Sequence, residues 1–143
     1  MGYSAGTLYV ALEGSGLTAL RGRDGELLWR FDRSEGEVLG VSADAQHVFA
    51  ATWNGRLAAL EAQNGRLLWR AQVDGHVAAA PVAAGDQVLV ATTERLFSAF
   101  RRSDGRLLWK TDLAGPVTAP PVVAQDRVLV TTEGGRVQAF SLR

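Results

Sequence analysis

The sequence predicts an all-β fold, and specifically a β-propeller built from four-stranded blades. A six-residue phrase recurs at 24–29, 64–69 and 104–109, so that Trp29, Trp69 and Trp109 stand 40 residues apart. Short apolar, β-branched runs alternate with Gly, Pro and Asp turns, at a spacing that suits about four strands per repeat. No stretch has the 3.6-residue periodicity of an amphipathic helix.

The predicted strands follow one order in every repeat. They lie at 8–12, 17–21, 26–31, 87–93, 96–101, 106–110 and 119–124, with full repeats opening near Val38 and Ala78. A turn is predicted at Arg102–Gly105, in which Asp104-Gly105 is the typical signal of a two-residue hairpin. Pro120 and Pro121 suit a strand start. The single domain 1–143 therefore divides into blade units of about 7–37, 38–77, 78–117 and 118–143, with three, four, four and three strands.

A β-sandwich is the competing interpretation of so many short strands. The runs at 8–12 and 88–91 are continuously apolar rather than alternating, which indicates strands that are buried on both faces. Such burial is expected where one blade packs on the next. The strict 40-residue period, without insertion or deletion, also favours a propeller.

Composition limits the function classes. The chain of 143 residues is 47% hydrophobic, and its fifteen basic and fifteen acidic residues cancel, so no net field attracts nucleic acid or an anionic membrane. Cysteine is absent, which excludes disulfides and thiolate metal sites. The first residues lack the basic and apolar regions of a signal peptide, and no apolar run approaches the ~20 residues that span a bilayer. The sequence does not determine the cellular compartment, because it is compatible with a cytosolic protein and with a domain of a longer, exported protein.

The repeats resemble the tryptophan-docking repeats of the pyrroloquinoline-quinone-like (PQQ-like) β-propeller superfamily. In that motif an Ala stands two residues before an acidic residue, a Thr-Gly turn follows, and Trp comes four residues after the Gly. The matching residues are Ala19, Gly25 and Trp29, then Ala59, Gly65 and Trp69, then Ala99, Gly105 and Trp109. The sequence departs from the motif at the acidic position, which only Glu61 keeps, and at the Thr, which Asp or Asn replaces.

The resemblance implies that these nine residues pack the blades, each Trp docking against the neighbouring blade. An indole independently suits that role, because it buries a large area and its N–H still needs an acceptor. The resemblance also implies rings that usually have eight blades. Four blades could close alone, but an open half-ring would expose two apolar faces. We expect a homodimer that closes one eight-bladed ring, or else a fragment whose missing blades lie in a parent protein, since the last repeat stops before a Trp strand.

Relatives of this type that act as quinoprotein dehydrogenases would imply PQQ, calcium, a catalytic Asp and an adjacent pair of half-cystines. Without cysteine there are no residues to which that site can be transferred, so the sequence predicts no cofactor, no metal, no catalytic residue and no enzyme. His47 and His76 read as exposed loop histidines without metal-ligand spacing.

Trp53 does not belong to the repeat, because Glu13, Thr93 and Glu133 occupy its position elsewhere. It is either a local plug or an exposed binding anchor. The predicted function is a non-catalytic, bacterial PQQ-like propeller that acts as a protein-binding or scaffold module, with no nucleic-acid partner and no membrane insertion. The alternatives are a fragment of a PQQ-dependent oxidoreductase and an excised or engineered half-propeller with no function of its own.

Overall fold

The computed structural model of the chain describes residues 2–12, 16–31, 37–117, 119 and 121–141. In these residues all regular secondary structure is β, with fifteen strands arranged in four antiparallel sheets. The strands of each sheet follow one another in chain order, so each sheet is a meander and forms one blade. The predicted β-propeller architecture of four blades is confirmed.

Short turns join the strands within each blade. Blade 1 contains β1 (Gly2–Ser4), β2 (Thr7–Leu12), β3 (Gly16–Arg21) and β4 (Leu27–Phe31). Blade 2 contains β5 (Val38–Ala43), β6 (His47–Thr52), β7 (Arg56–Glu61) and β8 (Leu67–Gln72). Blade 3 contains β9 (Val82–Ala84), β10 (Gln87–Ala91), β11 (Leu96–Arg101) and β12 (Leu107–Asp112). Blade 4 contains β13 (Val122–Ala124), β14 (Arg127–Thr132) and β15 (Arg136–Ser141).

The predicted strand distribution of three, four, four and three is wrong in blade 1, which has four strands. Strand β1 pairs with β2 through a tight turn in which Ala5 and Gly6 have φ values of 50° and 81°. Two consecutive positive φ values are what a two-residue type I′ hairpin requires. A three-residue strand with one aromatic residue leaves no run of apolar residues, so the sequence pattern missed it. Pro120 and the final residues 142–143 lie outside the described residues.

The turn before the tryptophan strand of blade 3 spans residues 102–105, as predicted, and is longer than the two-residue hairpin that Asp104-Gly105 typically signals. The Arg101 N–H donates to the Arg106 carbonyl and closes a loop over residues 102–105. Within it Asp104 Oδ1 accepts from the Arg106 N–H at 3.0 Å. The same carboxylate or amide contact recurs at Asp24 and Asn64. The polar residues that replace the motif's Thr therefore stabilise this turn directly.

The first strands of the blades are the inner strands of the propeller. Contacts join β1 to β5, β5 to β9 and β9 to β13. The approach is close, because a Cβ atom at Gly40 in β5 would lie only 2.5 Å from Ala80 Cα. It follows that β4, β8 and β12, which carry the tryptophans, are the outer strands.

Three hydrophobic cores lie between consecutive blades rather than inside a single pair of sheets. In β6, Val48 and Ala50 belong to the core with blade 1, whereas Phe49 and Ala51 belong to the core with blade 3. Alternate residues of one strand thus face two different neighbours, which explains its continuous apolarity and excludes the sandwich. The burial on both faces predicted for 8–12 is only half right: Tyr9 is buried, but Leu8 and Val10 are partly exposed.

Candidate functional site

Trp29 and Trp69 each bridge two blades in the same way. The Trp29 indole N–H donates to the Ala62 carbonyl at 2.9 Å, and the Trp69 indole N–H donates to the Arg102 carbonyl at 2.7 Å. Both acceptors lie 33 residues ahead, in the hairpin before the next outer strand. Each indole is over 90% buried and has its polar atom satisfied.

The motif glycines lie directly beneath these rings. A Cβ atom at Gly65 would overlap the Trp29 ring, and one at Gly105 would overlap the Trp69 ring. Nothing lies within 4 Å of the equivalent point at Gly25. The motif alanines Ala19, Ala59 and Ala99 are fully buried and pair across the strands with Trp29, Trp69 and Trp109. We propose that the predicted blade-packing residues act through this glycine–indole–alanine packing, except Gly25, which has no indole above it.

Trp109 occupies the third docking position and is partly buried. Its ring lies 5.7 Å from the Phe97 ring and 6.2 Å from the Phe140 ring, measured between centroids. By the repeat, the acceptor for its indole N–H would be the carbonyl of residue 142, which lies outside the described residues.

The predicted binding anchor, Trp53, lies on the turn after β6 and is 51% exposed. Its ring packs against the His76 ring at a centroid distance of 4.8 Å, with the two planes tilted by 31°. His76 in turn contacts both oxygens of Glu94, through Nδ1 at 2.9 Å and its backbone N–H at 2.8 Å, and Thr93 Oγ1 donates to the same carboxylate. Trp53, His76 and Glu94 come from blade 2, the connection between the blades, and blade 3. We refer to these three residues as the Trp53 cluster.

Hydrogen bonds hold the Glu94 carboxylate in its charged form. The His76 ring and backbone N–H, followed by the Thr93 hydroxyl, lower the pKa of Glu94 from 4.5 to about 2. Because the folded pKa lies below the unfolded one, this contribution to stability is complete above about pH 4.5 and is lost as the pH falls through 2.

We expect Glu94→Gln to reduce the acid sensitivity of folding. Urea unfolding of the wild type and the variant, followed from pH 6 to pH 2, should give a smaller decrease in the free energy of unfolding for the variant. His76→Ala removes only the ring contact and should give an intermediate slope. Identical slopes for the wild type and Glu94→Gln would contradict the assignment.

Sequence reasoning missed the partners of Trp53. His76 is exposed, as predicted, but its contacts with Trp53 and Glu94 were not predicted. His76 and Glu94 are 18 residues apart and carry no motif. One sequence signal could have identified these partners. Trp53, His76 and Glu94 lie at the ends of adjacent blades, and each differs from the residues at the equivalent positions of the other repeats.

A cleft of about 730 Å³ lies between blades 2 and 3. It is lined by the turns that join the first two strands of each of these blades and by the turn before the outer strand of blade 3. Arg102 lies at its edge, forms an ion pair with Asp44, and donates to the Gly85 carbonyl at 3.3 Å. Its guanidinium also stacks 5.4 Å from the Phe49 ring centre, close to His47. Because Asp44 neutralises the charge of Arg102, this arrangement links blades 2 and 3 and does not present an unpaired positive charge to a ligand.

The described part of the chain contains no group of three or more His, Cys, Asp or Glu residues placed to hold a metal ion. With cysteine absent as well, the residues present do not fit a site for PQQ and calcium. Among the described residues there is also no helix with the length and apolar character to cross a membrane.

A family model described as outer membrane protein assembly factor BamB matches residues 13–105 and 55–143. No curated protein gives a significant sequence match.

Several solved structures are similar in fold. BamB from Moraxella catarrhalis is 22% identical with a TM-score of 0.86, and the match covers 96% of this chain and 44% of that one. The computationally designed Ika4 protein is 16% identical with a TM-score of 0.86, covering 99% and 89%. The quinohemoprotein alcohol dehydrogenase from Comamonas testosteroni is 18% identical with a TM-score of 0.73, covering 91% and 28%. The chain thus spans less than half the length of the BamB structure.

Proposed function

Because the chain belongs to the BamB family of PQQ-like β-propellers, we propose that it is a non-catalytic module that binds a protein partner. The observation that carries the proposal is the Trp53 cluster. A large aromatic side chain is held half-exposed at a blade end where the repeat does not require one. Exposed tryptophans of this kind are enriched at binding hot spots.

Ring contacts and hydrogen bonds within the chain hold the cluster together without a partner. His76 packs on one face of the Trp53 ring, and Glu94 fixes His76 with two short contacts. The turns themselves are tied to the adjacent connections, because the Trp53 N–H donates to Glu37 and the Thr93 N–H donates to His76. A preorganised aromatic surface lowers the entropic cost of binding, which supports recognition of an extended peptide segment.

An oxidoreductase role has less support. The likeness to quinohemoprotein dehydrogenases is below 25% identity and concerns the fold alone. The described residues lack a donor set for calcium. We therefore do not propose a redox reaction for this chain.

Trp53→Ala is expected to abolish peptide binding and to leave stability within about 0.5 kcal/mol of the wild type. The test is to select a random peptide library on the wild-type protein and to measure the affinities of the enriched peptides by fluorescence anisotropy. We expect a loss of at least tenfold for Trp53→Ala and no change for Leu68→Ala, an equally exposed apolar residue at the other end. Failure to enrich peptides, or equal affinities, would favour a propeller without a binding function of its own.

We further infer that the chain self-associates as a homodimer. The support is that apolar side chains are exposed on the faces of blades 1 and 4 that point away from blades 2 and 3, which we call their outward faces. Light scattering should give about twice the monomer mass of 15.3 kDa, and a monomer mass at high concentration would exclude the dimer.

A further inference from the structure

The outward face of blade 4 is apolar, and no described part of the chain covers it. Val128 and Val130 in β14 are buried against blade 3, so the alternate residues of this blade face away from it. On that outward face Leu129 pairs with Val122 and Ala139 in the neighbouring strands. Val122 is 60% exposed and Val137, on the same face, is 63% exposed.

Blade 3 indicates what such a face normally contacts. Its equivalent residues, Leu89, Ala91, Phe97 and Ala99, are almost fully buried and form one core with Val128 and Val130 of blade 4. By the 40-residue repeat, the blade that covers the blade 4 face would offer residues equivalent to Val128, Val130 and Phe140.

Blade 1 offers these residues. Leu8, Val10 and Leu20 stand at the repeat positions of Val128, Val130 and Phe140 and are only partly buried. Tyr3 pairs with Leu8 on the same face and is 67% exposed. Blade 1 and blade 4 thus carry the two halves of one blade interface, and neither half is covered within the described part of the chain.

The chain's own blades do not bring these two faces together. A ring closed by four blades would bury Val137 beneath blade 1, whereas Val137 is 63% exposed.

We propose that the outward face of blade 4 receives the outward face of blade 1 from a second copy of this chain, in the register of the internal blade interfaces. This rests on the proposed self-association and specifies its polarity. Two copies then form one ring through two identical head-to-tail contacts. A second copy is the occupant of choice because it carries the complementary face in the repeat register, which continues the packing already seen three times within the chain.

Variants that introduce opposite charges on the two faces test whether the contact is head-to-tail. Val137→Glu alters the blade 4 face, and Leu20→Lys alters the blade 1 face. By the repeat these two residues stand at the positions of Phe97 and Phe140, whose rings lie 5.3 Å apart between blades 3 and 4. Each variant alone should give a monomer by light scattering, because each would place one charge in both contacts of its own dimer. An equimolar mixture should restore a dimer with one copy of each variant, which native mass spectrometry identifies. Leu68→Glu, at an exposed leucine outside both faces, should remain a dimer.

Several outcomes would overturn the proposal. If either single variant stays dimeric, or if the mixture stays monomeric although both variants fold by circular dichroism, the head-to-tail contact is wrong while self-association stands. A second pair, Leu129→Glu with Leu8→Lys, repeats the test deeper in the faces. A monomeric wild type would instead contradict self-association itself, and the peptide-binding test on Trp53 is independent of both results.

Discussion

Replacing Trp69 by alanine is expected to lower the free energy of unfolding by about 3–5 kcal/mol, the usual cost of removing a large aromatic side chain from a core. The indole packs in the core shared by blades 2 and 3, lies 6.2 Å from the Phe49 ring, and satisfies the Arg102 carbonyl. Its removal would leave a cavity between the blades and a partly buried carbonyl without this donor. Urea unfolding measured by tryptophan fluorescence and circular dichroism gives the value.

Trp53→Ala is the matched control for this prediction. It deletes the same side chain from blade 2, but at a position that is 51% exposed, so little apolar burial is lost. The two variants should differ by at least about 2 kcal/mol. Equal losses would mean that docking of Trp69 contributes no more than a surface contact.

The repeat made the blade architecture predictable, because a fixed spacing of apolar runs and turns reports strand order directly. It did not reveal β1, whose three residues become a strand only because the turn at Ala5 and Gly6 places them beside β2. Propensity is too weak a signal at that length.

The residues of the docking site were predictable and its partners were not. The indole acceptors are backbone carbonyls of Ala62 and Arg102, and a carbonyl can belong to any residue type. The Trp53 cluster is likewise assembled by tertiary structure, since the connection between blades brings His76 to Glu94. Side chains that depart from a repeat are therefore the ones to examine for function, whereas those that conform to it report packing.

Gly105→Ala is expected to destabilise the protein more than the same change at Gly25. Both glycines have positive φ, 77° and 73°, so both variants carry the conformational cost of about 1–2 kcal/mol for a residue with a Cβ in this region. Only at Gly105 would the new Cβ also overlap the Trp69 ring. Displacing a packed ring adds about 1–3 kcal/mol, the typical cost of overpacking a core.

The difference between the two variants thus isolates the contact between the glycine and the docked indole. Denaturant unfolding of Gly25→Ala, Gly105→Ala and Gly105→Ala combined with Trp69→Ala would measure it. In the Trp69→Ala background, Gly105→Ala should lower the free energy of unfolding no more than Gly25→Ala does. Without the indole, only the conformational cost of the positive φ remains. If Gly105→Ala and Gly25→Ala cost the same in the wild-type background, the indole does not need a glycine beneath it, and the motif glycine serves the turn alone.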